Sequence, residues 1–418
     1  MTLIEDRKPT TETPDESLRR WRLDTPGCET RIHLNNAGAA LSPTPVLDAI
    51  HRHLDLEAEV GGYEAEDEAA GRVRETYGLL GRLIHAPAET VALVENATVA
   101  VAQALSAFDF HPGDVLVTSH SDYTSNQLMY LSLARRLGIE VLRADDLPEG
   151  GADPDSVRRL VAHPRCRLVS LTWMPTNSGL VQPAEEVGEI CEAAGVPYLI
   201  DACQAVGQTP VDVGRLRCDY LAATARKFLR GPRGIGFLYV SERALARGEH
   251  PLFVDMRGAG LVDLERYVLS AGARRFENWE FSYALVLGLA EAARYALEVG
   301  IGTAESRALA LAAALREKIG ALPGVRIADR GPRLSAIVTA DVGGIGGVID
   351  VKSLVCGLRR SGVNTSVALL GEGPRNAPEA GARQIVRLSP HYYNTPEEID
   401  GAVAALGEAL RESQGTGS

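Results

Sequence analysis

The 418-residue chain carries 43 Lys and Arg against 55 Asp and Glu, a formal charge of −12, with 45% hydrophobic and 23% charged residues. That balance describes a globular protein large enough for a main domain and a smaller second one, and no basic block is present that would track a nucleic-acid backbone. Six dispersed cysteines without a CxxC pair indicate neither a metal site nor a disulfide framework and fit a reduced cytoplasm, and no apolar run of about 18 residues predicts a membrane span.

Residues 1 to about 30 begin without secretory character and are rich in Thr, Asp, Glu and Pro, so an extended or disordered N-terminal arm is expected. From about residue 85 to 240, short β-rich runs alternate with helical stretches. The runs are Val91 to Val94, Val115 to Thr118, Leu168 to Thr172 and Tyr198 to Asp201, and the stretches cover 98–108, 125–137 and 183–195. This order predicts an α/β fold with a mixed, mostly parallel sheet covered on both faces, and functional residues just past the carboxyl ends of strands. After about residue 280 the pattern changes to Ala/Leu-rich helices at 282–298 and 303–320, strands near 325–328, 335–340 and 384–389, and helices at 351–361 and 396–411. The expected organisation is an arm over 1–30, a large domain over 31–290 and a small α+β domain over 291–418, ending in an extended or disordered tail from Glu412 to Ser418.

Three strand-end turns carry candidate chemistry. Thr224-Ala225-Arg226-Lys227-Phe228-Leu229-Arg230-Gly231-Pro232-Arg233-Gly234-Ile235-Gly236 joins two strand-like runs. A lysine that attacks an aldehyde must lose its proton, which the flanking cations Arg226 and Arg230 favour. Asp201-Ala202-Cys203-Gln204 follows an apolar run and places a carboxylate where it would keep a pyridine nitrogen protonated, with an amide able to donate to a ring oxygen. Asn96-Ala97-Thr98 opens a helix whose free N–H groups and Thr hydroxyl would receive a phosphate. Taken singly, these segments also read as a basic surface loop, a helix cap and another helix cap.

Together they resemble the class V aminotransferase group of fold-type I pyridoxal 5′-phosphate (PLP) enzymes, which includes the cysteine desulfurases. The likeness runs from His33-Leu34-Asn35-Asn36-Ala37-Gly38 to Arg387-Leu388-Ser389-Pro390-His391-Tyr392-Tyr393-Asn394-Thr395. It implies that Lys227, in a segment like S-x-H-K-x-x-G-P-x-G-x-G, holds PLP as a Schiff base, with Thr224 and Arg226 at phosphate-binding places. Asp201 and Gln204 match the family's D-x-x-Q pair, and Ala97 and Thr98 its phosphate turn. Tyr123, in Asp122-Tyr123-Thr124-Ser125-Asn126, stands where a histidine stacks on the ring, and Thr176 where an asparagine lies near the cofactor. Arg387 matches the arginine that forks onto the substrate carboxylate, and Asn36 and Gly38 fall at the substrate end. Arg275-Phe276-Glu277-Asn278-Trp279-Glu280 carries Glu280 where the family has a threonine that reaches the neighbouring subunit's phosphate. The family also implies a homodimer acting on a small amino acid.

The loop that holds the desulfurase nucleophile reads Ser361 to Leu369 with no cysteine, and Cys356 upstream is expected in the core. That disfavours persulfide formation. Glu59-Val60-Gly61-Gly62-Tyr63-Glu64, Tyr123 and Ser389-Pro390-His391 resemble the subgroup of ergothioneine-pathway C–S lyases and lincosamide-pathway enzymes. The expectation is β-elimination from a cysteine S-conjugate in secondary metabolism. Decarboxylative oxidative deamination, transamination or epimerisation is the alternative. A nicotinamide dehydrogenase would need a glycine-rich turn after its first strand, whereas the only dense run, Gly343-Gly344-Ile345-Gly346-Gly347, comes late. A non-catalytic relative would be expected to lose the lysine or the acid, and both are retained.

Overall fold

Seven strands form the central sheet of the protein, seen in a computed structural model that describes residues 13–343, 349–370 and 383–415. They are β1 (Val91–Val94), β2 (Val115–Ser119), β3 (Glu140–Ala144), β4 (Cys166–Thr172), β5 (Tyr198–Asp201), β6 (Tyr220–Thr224) and β7 (Gly236–Val240), in the spatial order β1-β7-β6-β5-β4-β2-β3. Only β7 runs antiparallel to its neighbours. Runs such as Val-Ala-Leu-Val and Tyr-Leu-Ala-Ala-Thr are buried at every position, as strands covered on both faces require.

One face packs under helices Thr44–Val60, Gly62–Ile84 and Tyr283–Val299, neither of the first two being anticipated from the sequence. The other face packs under Ala97–Ser106 and Thr124–Leu137. A second core is built on a four-stranded antiparallel sheet of β8 (Arg326–Ile327), β9 (Val338–Asp341), β10 (Ser366–Leu370) and β11 (Arg383–Leu388), in the order β8-β9-β11-β10. Helices Ile301–Gly320, Val351–Arg360 and Pro396–Gly415 cover it, and Leu34 joins this core because Ile32–His33 pairs with Val363–Asn364.

The N-terminal lead-in differs from the extended arm expected. Residues Pro14–Leu23 form a helix, begun by Thr13 and Glu16, whose side chains each satisfy the other's backbone N–H. Trp21 is buried edge-on against Tyr392, at 5.1 Å between ring centroids. The C-terminal tail likewise continues as helix to Gly415. Residues 1–12, the glycine run beyond Gly343 and the last three residues lie outside the described set. Among the described residues no helix is long and apolar enough to cross a membrane, and no group of metal-ligating side chains occurs.

Candidate active site

The carboxyl ends of β1, β2, β4, β5 and β6 open onto one cavity of about 460 Å³. Its wall includes Ala97, Thr98, Tyr123, Thr176, Asp201, Gln204, Thr224, Arg226 and Lys227, so the sheet gathers nine of the twelve residues singled out from the sequence. The parallel register explains this convergence: Thr172, Asp201 and Ala222 are cross-strand partners, and Thr224 and Val94 both oppose Gly236. Gly236 has to be a glycine, because a Cβ there would lie 2.4 Å from the Ala223 carbonyl oxygen.

Lys227 is buried, with its Nζ 5.8 Å from the centroid of the Tyr123 ring. Burial pushes its ammonium below the usual lysine range; the charges of Arg226 and Arg387 act in the same direction and Asp201 opposes them. Arg230 plays no part in this. The loop has one residue more between Lys227 and Gly231 than the family pattern, and Arg230 takes up the excess at φ +63° with its side chain turned away. Its guanidinium donates to the Leu41 carbonyl, Tyr392 Oη and Thr25 Oγ1 and lies 4.4 Å from the Tyr393 ring centroid. It braces the lysine loop against both ends of the chain.

Asp201 ends β5 with Oδ1 accepting from the Cys203 N–H at 3.0 Å and Oδ2 from Asn126 Nδ2 at 3.1 Å. Gln204 Nε2 donates to the Ala37 carbonyl at 3.0 Å and to Thr176 Oγ1 at 3.2 Å, leaving its buried Oε1 without a partner. The amide therefore turns an acceptor toward the orphan position, and a half-turn is needed before it donates there. Asn96 caps helix Ala97–Ser106 by accepting from the Val99 N–H at 3.0 Å.

Arg387, on β11, donates through Nη1 to Thr176 O and Oγ1 at 2.9 and 2.6 Å and through Nη2 to Asn35 Oδ1 at 3.2 Å. Its buried Nε has no partner, and burial, with Arg226 nearby, pushes the guanidinium down to about 10. A buried cation held only by neutral acceptors is a site for an anion. It stands one layer behind the cavity wall, with Thr176 between.

Two expected substrate residues are not at the cavity. Asn36 is fully buried and spends its amide on the His33 and Ser389 carbonyls, at 3.3 and 2.7 Å, and its Oδ1 on Tyr393 Oη. The Gly38 carbonyl accepts from Arg226, so both residues fasten the N-terminal segment rather than meet a ligand. That contact also ties down the guanidinium assigned to phosphate. Cys356, expected in the core, is exposed.

The cavity wall also contains Asn126, Thr172, Met174, Cys203, Arg233 and Gly234, which the motifs did not assign. The Cys203 thiol is pushed well up by burial and by the adjacent Asp201, so it stays protonated.

The class-V aminotransferase family profile matches residues 32–401. The chain belongs to the class-V aminotransferase family. A probable cysteine desulfurase of Methanothermobacter thermautotrophicus is 27% identical over 408 residues, covering 95% of this chain and 98% of the relative. The fold is that of a solved cysteine desulfurase from Thermococcus onnurineus, with a TM-score of 0.83 at 23% identity over 97% of this chain and all of the other. The cystine C–S lyase C-DES, solved with its product cysteine persulfide, gives 0.82 at 22% identity over 92% and 99%. The protein is thus a fold-type I, PLP-dependent enzyme of cysteine desulfurase-like type. The cavity suits that cofactor: it holds a buried amine, a carboxylate fed by two N–H donors, an orphan amide and a capped helix start.

Proposed function

We propose that the enzyme is a C–S lyase that cleaves the Cβ–S bond of a cysteine S-conjugate by β-elimination, giving a thiol or sulfenate, an α-keto acid and ammonia. One observation carries the reading: the cavity keeps a full set of cofactor-type residues while lacking a reactive thiol. The stretch from Ser361 to Leu369 has no cysteine, Cys203 is buried and protonated, and Cys356 sits outside the cavity wall. The names of the relatives, cysteine desulfurases and a cystine C–S lyase, support C–S chemistry on cysteine.

Bound PLP supplies an electron sink for the charge left at Cα. Lys227 would hold the cofactor and take the Cα proton at Nζ, a task suited to an amine whose proton affinity burial has lowered. Asp201 would keep the ring nitrogen protonated, Tyr123 would stack on the ring, and Ala97, Thr98, Thr224 and Arg226 would hold the phosphate. Arg387 would bind and orient the α-carboxylate, taking the anion in exchange for its contacts with Thr176.

The residues behind the likeness to ergothioneine- and lincosamide-pathway enzymes are mainly scaffold. Gly61 separates two helices at φ +104°, and Ser389 and His391 are fully buried. We keep secondary metabolism as the proposed setting on the sequence likeness, and six free cysteines fit a reducing compartment. We also infer a homodimer. Leu261, Leu264 and Val268 lie in and around the hairpin Ala259–Leu261/Tyr267–Leu269 at 81%, 99% and 63% exposure, an apolar surface that a second copy would cover; sedimentation would report twice the chain mass.

The test is to feed S-substituted cysteines and follow thiol and α-keto acid alongside carbon dioxide and oxygen. Equal thiol and keto acid is expected. Carbon dioxide release and oxygen uptake without thiol would replace the lyase reading by decarboxylative oxidation.

A further inference from the structure

Behind Asp201 lies a second buried carboxylate, Asp122, and the two are joined by a single amide. Asn126 Nδ2 donates to Asp201 Oδ2 at 3.1 Å and to Asp122 Oδ1 at 3.2 Å. Carboxylates only accept, so the two hydrogens of the NH₂ group must serve both acids, and the amide has one workable orientation. Asp122 is itself tightly held. Its Oδ1 accepts from the Tyr123 N–H at 2.6 Å and from Thr172 Oγ1 at 2.5 Å, and its Oδ2 from Thr118 Oγ1 at 2.8 Å. One acid therefore fixes the backbone of Tyr123 and, through Asn126, the carboxylate of Asp201. Asp122, Asn126 and Asp201 are all at least 93% buried, so bulk water does not compete for these bonds.

We propose that Asp122 and Asn126 are positioning residues that keep Asp201 aimed at the cofactor's ring nitrogen. The inference rests on Asp201 being the acid at that nitrogen. Burial and the neighbouring Asp201 push the Asp122 carboxyl up, against its hydrogen bonds.

Asn126→Ala is expected to weaken PLP binding to the apoenzyme about tenfold, the size of one charge-assisted hydrogen bond. Asp122→Ala is expected to do the same, and Asp122→Asn to restore affinity to within about threefold of the parent, because its amide donates to Thr118 and its carbonyl keeps the three donors. Affinity is read from visible absorbance on titrating PLP into apoenzyme, with unfolding melts confirming that each variant is folded. Asp201→Ala distinguishes the assignment of Asp201 from the positioning role. If that variant leaves PLP affinity unchanged, the assignment of Asp201 is wrong. If it weakens affinity while Asn126→Ala does not, or if Asp122→Asn is as impaired as Asp122→Ala, the positioning role is overturned.

Discussion

Replacing Arg387 with Met separates the substrate's anion site from the rest of the enzyme. In the free protein the guanidinium makes three hydrogen bonds, to Thr176 O, Thr176 Oγ1 and Asn35 Oδ1, worth about 1 kcal/mol each. Against them stands the desolvation that pushes the group down to about 10, on the order of 3 kcal/mol in a residue only 7% exposed. The two offset, so Arg387→Met should fold and melt within a few degrees of the parent and load PLP normally. With substrate present the balance changes, because an α-carboxylate supplies the missing anion in exchange for the Thr176 contacts. Losing a buried charge pair of this kind costs about 2 to 5 kcal/mol, so kcat/KM should fall between about 30-fold and a few thousand-fold. Steady-state kinetics on an S-substituted cysteine measure the loss, and binding of the matching amine without a carboxylate provides the control, which should be equal in parent and variant. A loss under threefold, or an equal loss with the amine, would refute the assignment.

Two further predictions concern the scaffold that holds the lysine loop. His391 is fully buried, with Nε2 donating to the Phe228 carbonyl at 2.8 Å, and burial with Arg230 close by pushes it down to about 3. Between pH 6.5 and 3 the unfolded chain accepts a proton there that the folded chain refuses, so stability is lost as pH falls, by about 1.4 kcal/mol per pH unit. Urea unfolding at pH 7.5 and 5 should show a drop about 2 kcal/mol smaller in His391→Phe than in the parent; equal drops would show that another group controls the acid limb. Trp21→Ala removes a buried indole from its contact with Tyr392 and should destabilise by about 3 to 5 kcal/mol in urea denaturation. A change below about 1 kcal/mol would mean that the N-terminal helix is not docked in solution.

The parallel sheet was legible because its strands are short, unbroken apolar runs between helical patterns, and the site followed because such strands deliver their functional residues at one edge. Lys227, Asp201 and Thr98 were read from those strand ends and all reach the cavity. The helices Thr44–Val60 and Gly62–Ile84 are not legible in the sequence, since neither carries a chemical motif and Gly61 between them matches a family signature. The N-terminal helix had a readable signal in Thr13-Pro14-Asp15-Glu16, a capping box with proline at the first turn, which polar composition obscured. Asn36 and Arg230 show what motif spacing does not convey. One lies beside a functional segment and the other three residues from the lysine, yet each side chain turns into the scaffold. Asn126 shows the converse: it ends the Asp122–Asn126 motif without a role there, and the fold brings its amide between two acids.

The central claim is that Lys227 carries the cofactor. Reductive trapping of the PLP-loaded enzyme, followed by peptide mass spectrometry, should place the pyridoxyl group on Lys227, and the visible absorbance should be absent from Lys227→Ala. Trapping at another lysine, or a visible band that survives the substitution, would contradict the account.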